Sequence, residues 1–597
     1  MEKKQTDKLE MREVQRKILS WIEDDKEKIV DFFSKLVQCP TPSDPGDTRA
    51  AMELIKTFLE KEGLPYREVT ADEIMPNLIT SVETPHAGRH LMFNGHLDVM
   101  PAGQEPGWTD NPWSGKVDAG KVWGRGTSDM KAGITAMIFA YAYLARLKDN
   151  LSGKFSLTVV SDEETGYGRG TGFMFDRIPD EMKADCVLSG EPSGSYSISY
   201  ASKGYVQFSV AVTTRGAIAG YSNETENAIY IANDIICELR EVENMEVKIS
   251  PEFADIMNAE GWLKEHIAVR GEGHGELLTK VAVDVCTFDA GCLHCVIPSN
   301  CRFSVTVTIP VGVDPYQVIH HVKAIVEKYP EAVFKLESID SPDISDPDGE
   351  MAEILKSTVA DLGWDEPVLT PDIAISDCRY WRYKGTPAYW YGPDGADCSA
   401  ANEFVSIEEL LHVVRTHALS AVKYLLSKPS EKTQKHFQLT EILQPEPKLK
   451  LLKPIRVVKR SMSVATDDFA AVQSDYEELR DKLFLDLSKA GINVPLTPIA
   501  AVEQNGNGYT LTAAYPADAE EIGGMFETVQ FFGAGAAATA VHRGSNEDLP
   551  ETIAALRAWM RDRDCTATEN YYIMYIIANH NYQEQWAMEI IMPLANK

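Results

Sequence analysis

The sequence predicts an α/β protein. A helix-covered sheet is interrupted by a smaller β-α-β-β-α-β unit and followed by a duplicated α+β domain. Three observations carry this reading. Apolar runs of strand length alternate with helical stretches over residues 1–197 and again over 341–428. Between them, residues 198–340 give strand, helix, strand, strand, helix, strand, the order of a ferredoxin-like unit. After a stretch rich in Lys, Pro, Glu and Gln at 429–452, which reads as a linker, residues 453–597 carry a faint internal repeat.

The elements follow in order. Arg12 to Glu62 reads as helices broken at Cys39-Pro40-Thr41-Pro42-Ser43-Asp44-Pro45-Gly46. His90 to Val99 is a buried strand, Lys131 to Leu147 a helix, and Phe155 to Val160 a second strand. In the interrupting unit, Val206 to Thr213, Lys280 to Thr287, Cys301 to Pro310 and Ala332 to Ile339 are strands, and Asn227 to Val242 and Pro315 to Tyr329 are helices. Two helices for one sheet leave sheet edges able to pair with a second copy, which would make a homodimer. The first domain resumes near Ser341 and closes with a helix from Ile407 to Leu426. In the last domain each half has a helix, Asp475 to Ala490 and Leu549 to Arg563, and ends in a strand with a proline, Gly508 to Pro516 and Trp586 to Pro593. A duplicated half-domain is expected to leave a ligand cleft between its halves.

Composition excludes several classes. The chain has 597 residues, too many for one core, with 44% hydrophobic and 25% charged residues, as in globular proteins. A net charge of −32 argues against nucleic acid and anionic membrane as partners. Met1 to Arg16 lacks the apolar core of a signal peptide, and no long apolar run suggests a membrane span. The ten cysteines are scattered, and although Cys292, Cys295 and Cys301 cluster, no partner CxxC pair completes a metal knuckle. Reduced thiols and a cytoplasmic location are expected.

The chemistry is concentrated in four segments. Phe93 to Val99 contains His96 and Asp98; Gly124-Arg125-Gly126 leads to Asp129; Ser161-Asp162 precedes Glu163-Glu164; and Gly190-Glu191-Pro192 closes the set. A neutral imidazole and carboxylates are ligands for a divalent metal. Asp98, two residues along the strand from His96, points the same way and can accept the other ring N–H. Asp129 can bridge two cations. The side chains of Glu163 and Glu164 diverge, so one can ligate while the other takes a proton from water. A lone His-x-Asp is usually ordinary strand and a lone Glu-Glu usually surface charge. Four such segments in order, each beside an apolar strand, reverse that judgement.

Together these motifs resemble the acetylornithine deacetylase, succinyl-diaminopimelate desuccinylase and carboxypeptidase family of zinc hydrolases over residues 12–427. The resemblance implies an α/β/α sandwich with an inserted lid and dimerisation domain, opened here by Lys203-Gly204. It implies one metal held by His96, Asp129 and Glu191, and a second held by Asp129, Glu164 and a late histidine. Glu163 would be the general base and Asp98 the acceptor behind the ligating ring. Arg379, in Ser376-Asp377-Cys378-Arg379, would bind a substrate carboxylate through its bidentate fork. Zinc is the implied metal; cobalt or manganese would suit the same donors.

The pattern breaks at two places. The late histidine should stand four residues before a glutamate, and in Asp397-Cys398-Ser399-Ala400-Ala401-Asn402-Glu403 that slot is Ser399. Asp397 or Cys398 could substitute if the loop is shifted. In the inserted unit, Arg215-Gly216 is followed by Ala217-Ile218-Ala219, without the histidine that stabilises the oxyanion in the family. Losing one such donor costs roughly two to three orders of magnitude in rate.

The segment Ala540-Val541-His542-Arg543-Gly544-Ser545, with the helix carrying Trp559, resembles a gyrase-inhibitor-like effector-binding domain. Glu589 with Trp559, Tyr571 and Trp586 would suit an organic cation as a second ligand; the competing reading is that these aromatics fill the core. His542 is expected to be a structural turn residue.

The reading that follows is metal-dependent hydrolysis of an amide in an N-acyl amino acid or small peptide, with an accessory ligand-binding domain. The alternative is a catalytically impaired relative that binds small molecules, because the second-metal and oxyanion histidines are missing.

Overall fold

The computed structural model describes the chain apart from residues 1, 44, 104–106, 166–167, 248–253, 256–272, 292, 396–397, 430–444, 453–454, 466–468, 491–497, 506–507, 517–527, 532–534, 569, 578–585 and 596–597. Asp397, Cys292 and most of the expected linker therefore lie outside the described residues. The chain forms two compact units: Met1–Lys203, Ser250–Leu278 and Asp343–Gln438 make one, and Gly204–Ile249, Thr279–Pro342 and Leu439–Lys597 the other.

The first unit is built on a nine-stranded mixed sheet. Its order is Arg67–Glu68, Leu78–Glu83, Ser152–Val160, His86–His96, Cys186–Ser189, Ala388–Trp390, Ser197–Ser202 and Asp343–Ile344, with Val368–Asp372 also pairing with Ser197–Ser202. Ser152–Val160, His86–His96 and Cys186–Ser189 lie side by side and parallel, His96 opposite Val160 and Asn94 opposite Ser189. The C-terminal halves of all three are buried, as expected of central parallel strands. Their C-terminal ends share one edge of the sheet, so the residues that follow them converge there.

Helix Ala132–Arg146 is buried at every position from Ala132 to Leu144 and packs on helix Ile407–Leu426 and on the central strands. It comes close because Gly133 meets Gly190: a Cβ on Gly190 would sit 2.6 Å from Gly133 Cα. That contact fixes the helix start beside Glu191. Ser197–Ser202 belongs to this sheet, so the inserted segment begins at Gly204 and not at 198.

In the second unit, Ala282–Ala290, Asn300–Ile309, Gly204–Thr213 and Ala332–Asp340 form an antiparallel sheet in that order. Residues along Asn300–Ile309 alternate between buried and more exposed, the mark of a sheet with one covered face. Helices Ala228–Leu239 and Pro315–Val326 are capped by the Asn227 and Asp314 side chains, each accepting a backbone N–H two residues on.

The C-terminal segment of the same unit adds an eight-stranded sheet. Its order is Lys448–Leu452, Gly535–Arg543, Ala587–Pro593, Tyr571–Ile577, Ile499–Asn505, Gly508–Pro516, Ile455–Val464 and Thr528–Phe531. Each half contributes one long helix, Phe469–Lys489 or Leu549–Arg561. Lys448–Leu452 is an edge strand, so the last five residues of the expected 429–452 linker belong to this sheet. The lysines and flanking prolines hid a short run that pairs with Gly535–Arg543. Ile577 and Ala587 join the core built on helix Pro315–Val326, so the inserted and C-terminal segments share apolar packing.

Candidate metal centre

His96 ends its strand buried, 1% exposed. Its Nδ1 lies 2.9 Å from the Asp98 backbone oxygen and 3.6 Å from the Asp98 carboxylate. The expected carboxylate acceptor is thus replaced at the shorter distance by the carbonyl. Either acceptor holds the proton on Nδ1 and leaves the Nε2 lone pair free. The Asp98 carboxylate is used elsewhere. Oδ1 accepts from Glu163 N at 3.1 Å, and Oδ2 from Glu164 N at 3.0 Å and Ser43 Oγ at 3.0 Å. Asp98 therefore fixes the Glu163-Glu164 turn against the end of the histidine strand.

Nε2 of His96 faces Asp129 Oδ1 at 3.2 Å and Glu191 Oε2 at 3.7 Å. One ligand atom from each of the three lies within 4.8 Å of the others, the only such histidine, cysteine or carboxylate group among the described residues. Asp129 Oδ1 is buried without a hydrogen-bond partner. An orphaned carboxylate oxygen between an imidazole lone pair and a second carboxylate is the donor set of a divalent metal, so these residues fit one.

The surrounding charge agrees. Burial disfavours the imidazolium, yet Glu191, Asp129 and Asp98 raise the His96 pKa well above its usual value. Burial, with Asp129 and Asp377 adding to it, lifts Glu191 to about 7. Burial, then Glu191 and Asp377, pushes Glu163 well up, and burial and Asp129 do the same to Glu164. Glu164 Oε1 accepts from Met100 N at 3.1 Å.

Asp129 is presented by the turn from Gly124 to Ser128. Gly124 and Gly126 have φ of 150° and 77°, and a Cβ on Gly126 would lie 2.4 Å from Val99. Glu403, buried, holds this turn by accepting from Gly126 N, Ser128 N and Ser128 Oγ at 3.1, 2.9 and 2.8 Å. It also pairs with Arg125 at 2.7 Å. Sequence reasoning used Glu403 only to mark the late motif; its role follows from contacts some 275 residues apart.

Arg379 is 2% exposed. Nη1 lies 3.4 Å from Glu163 Oε1 and 3.5 Å from Asp377 Oδ1, and the guanidinium stacks 4.6 Å over the Tyr380 ring. Asp377 in turn accepts from Thr171 Oγ1 at 2.7 Å. In the sequence Asp377 marks the late motif two residues before Arg379 but is given no role of its own.

In the late loop, Ser399 is exposed with φ of 61°. The neighbouring Cys398 turns inward, and its Sγ lies 3.2 Å from Asp129 Oδ2.

The C-terminal residues do not converge as expected. Met588, Ile590 and Met592 pack on the helix side of the sheet with Tyr571, Trp559 and Trp586, whereas Ile591 belongs to a separate cluster. Strand alternation puts Glu589 with Ile591 on that other face. There its Oε1 takes the Lys450 ammonium at 2.6 Å. The aromatics fill the core, and the cation beside Glu589 is the chain's own. His542 lies within strand Gly535–Arg543 and not in a turn; it is bonded through Nδ1 to Thr552 Oγ1 and through Nε2 to the Ser545 carbonyl, a structural role.

Residues 92–423, over half of the chain, match peptidase family M20/M25/M40, and the chain belongs to that family. Residues 445–595 match a GyrI-like small molecule binding domain, so a family M20 hydrolase domain is joined here to a GyrI-like domain. Succinyl-diaminopimelate desuccinylase 2 of Ruegeria sp. (strain TM1040) is 24% identical over 392 residues, covering 64% of this chain and 91% of that one. A family M20 metallo-carboxypeptidase from Sulfolobus solfataricus has the same fold at TM-score 0.58 and 18% identity, over 67% of this chain and 99% of the other. A di-peptidase from Saccharomyces cerevisiae aligns at TM-score 0.59 and 15% identity, over 70% and 99%. The chain is a metal-dependent amidohydrolase by family. Among the described residues, no helix is long and apolar enough to cross a membrane.

Proposed function

We propose that the chain hydrolyses the amide of an N-acyl amino acid or short peptide that carries a carboxylate. The observation that carries this is that Glu163 pairs with Arg379 at 3.4 Å while it feels the charges of His96 and Glu191 in the metal cage. The desuccinylase named above supports an N-acyl amino acid over a long peptide. His96, Asp129 and Glu191 would hold zinc, and Glu164 with Asp129 would be offered to a second ion. When bound, the metal supplies a Lewis acid that polarises the amide and acidifies water. Glu163 takes the water proton and returns it to the leaving nitrogen; its raised pKa suits both halves of that task. Asp98 holds the backbone of Glu163 in place. Arg379 grips the substrate carboxylate as it lets go of Glu163, which frees the base when substrate arrives.

The GyrI-like segment would hold a second small ligand. The open edge strand Ala282–Ala290, with Phe288 47% exposed, supports pairing with a second copy. The described cysteines are all free, which supports a cytoplasmic setting.

The test is a panel of N-succinyl and N-acetyl amino acids with zinc-loaded protein and Glu163→Gln. Turnover by the parent, with a fall of roughly 10²-fold or more in kcat for the variant at unchanged zinc content, supports the reading. Zinc binding without any turnover favours the alternative, a small-molecule-binding relative, toward which the exposed Ser399 in the histidine slot points.

A further inference from the structure

We propose that Cys398 supplies a thiolate ligand to a second metal ion, in place of the absent histidine, beside Asp129 and Glu164. This rests on the metal-centre reading above and adds to it a ligand of different chemistry.

Asp129 divides its two oxygens. Oδ1 faces the His96 and Glu191 side and is buried without a hydrogen-bond partner; Oδ2 lies 3.2 Å from Cys398 Sγ. A carboxylate used in this way can bridge two ions, and the far ion would then have a sulfur donor at hand. Glu164, whose charge acts on Asp129, is the carboxylate this second ion would share; its backbone N–H is fixed by Asp98 Oδ2 at 3.0 Å, and its Oε1 accepts from Met100 N at 3.1 Å.

The position of Cys398 is built rather than incidental. Arg125 donates to the Ser399 carbonyl at 2.8 Å and to the Ala400 carbonyl at 3.1 Å, pinning the backbone just after the thiol. The same Arg125 pairs with Glu403, which holds Gly126 and Ser128. One Arg–Glu pair thus clamps both the segment carrying Cys398 and the turn carrying Asp129. Ser399 is exposed, and a neutral hydroxyl is a poor ligand where a thiol is available.

On binding, the thiol loses its proton to solvent and the sulfur forms one bond to the ion, as zinc–thiolate sites do. A sulfur donor favours zinc over manganese or magnesium, so the second site would reject the harder ions that an all-carboxylate pair accepts.

Cobalt(II) titrated into metal-free full-length protein tests this. Two equivalents should bind, and the second should bring a near-ultraviolet sulfur-to-cobalt charge-transfer band beside the visible ligand-field bands. Cys398→Ser should lose that band and weaken the second equivalent by about 10-fold or more, while the first is retained. Cys398→His should restore the second equivalent without the band, and Ser399→Ala should change neither. A charge-transfer band that survives in Cys398→Ser, or a second equivalent bound as tightly there as in the parent, overturns the proposal and leaves the first metal site standing. Failure to bind any cobalt overturns both.

Discussion

Arg543 and Asp314 form a two-armed ion pair, Nη1 to Oδ2 at 2.7 Å and Nη2 to Oδ1 at 3.0 Å, with neither side chain reaching solvent. Asp314 also caps helix Pro315–Val326, and the Arg543 guanidinium lies 4.8 Å over the Tyr316 ring. One pair therefore joins the inserted segment to the C-terminal sheet. Removing one partner strands a buried charge, so Asp314→Ala or Arg543→Ala should cost about 3–5 kcal/mol in urea unfolding. Hydrogen exchange should rise in both Pro315–Val326 and Gly535–Arg543. Exchange that rises on one side alone would show that the pair does not couple them.

Glu403 should matter to metal affinity without touching metal. Glu403→Gln removes the charge that holds Arg125 and two backbone N–H groups of the turn before Asp129. Zinc affinity, read by chelator competition, should fall about 10–100-fold, as for other groups that orient ligands. An unchanged affinity would mean that the Asp129 turn is self-supporting.

Three histidines away from the metal cage make the first unit acid-sensitive. Burial holds His90, His412 and His417 each down to about 4 from 6.5, with nearby cations adding to the effect at the first two. The native state resists protons that the unfolded chain accepts. The contribution is therefore intact above pH 6.5 and lost as pH falls toward 4, by at most about 3 kcal/mol per histidine. His417→Gln should lower stability at pH 7, where its bond to the Tyr391 carbonyl is lost, yet flatten the fall between pH 6.5 and 4. An unflattened slope in denaturant titrations would remove His417 from the account.

Lys450→Met should expose the cost of burying Glu589. Burial alone would raise this carboxyl; Lys450, Lys323 and Lys448 win and hold it below its usual value. The pair's contribution is thus present above the unfolded carboxyl pKa and lost as pH falls through the folded one. At pH 7 the variant should lose roughly 3 kcal/mol, and Lys450→Met with Glu589→Leu should recover most of it. Failure of the double variant to recover would assign the loss to packing.

Much of the site was legible because it is local. Each of His96, Glu163 and Glu191 stands at or just past the end of an apolar strand, and period and turn residues are read within a few positions. The helix Ile407–Leu426 and the strand–helix order of the inserted segment were likewise written in periodicity. The edge strand Lys448–Leu452 was not, because five residues between lysines and prolines give too little period to read.

What the sequence determined by itself is the donor inventory and the sheet edge to which it is delivered, since hydrophobic period fixes strands and parallel strands end together. Tertiary structure alone decided which atoms face one another. It set the Asp98 carboxylate on the glutamate turn, Arg379 on Glu163, Glu589 on Lys450, and Cys398 rather than Ser399 toward Asp129. Those choices depend on backbone direction and on partners up to hundreds of residues away, which no local pattern encodes.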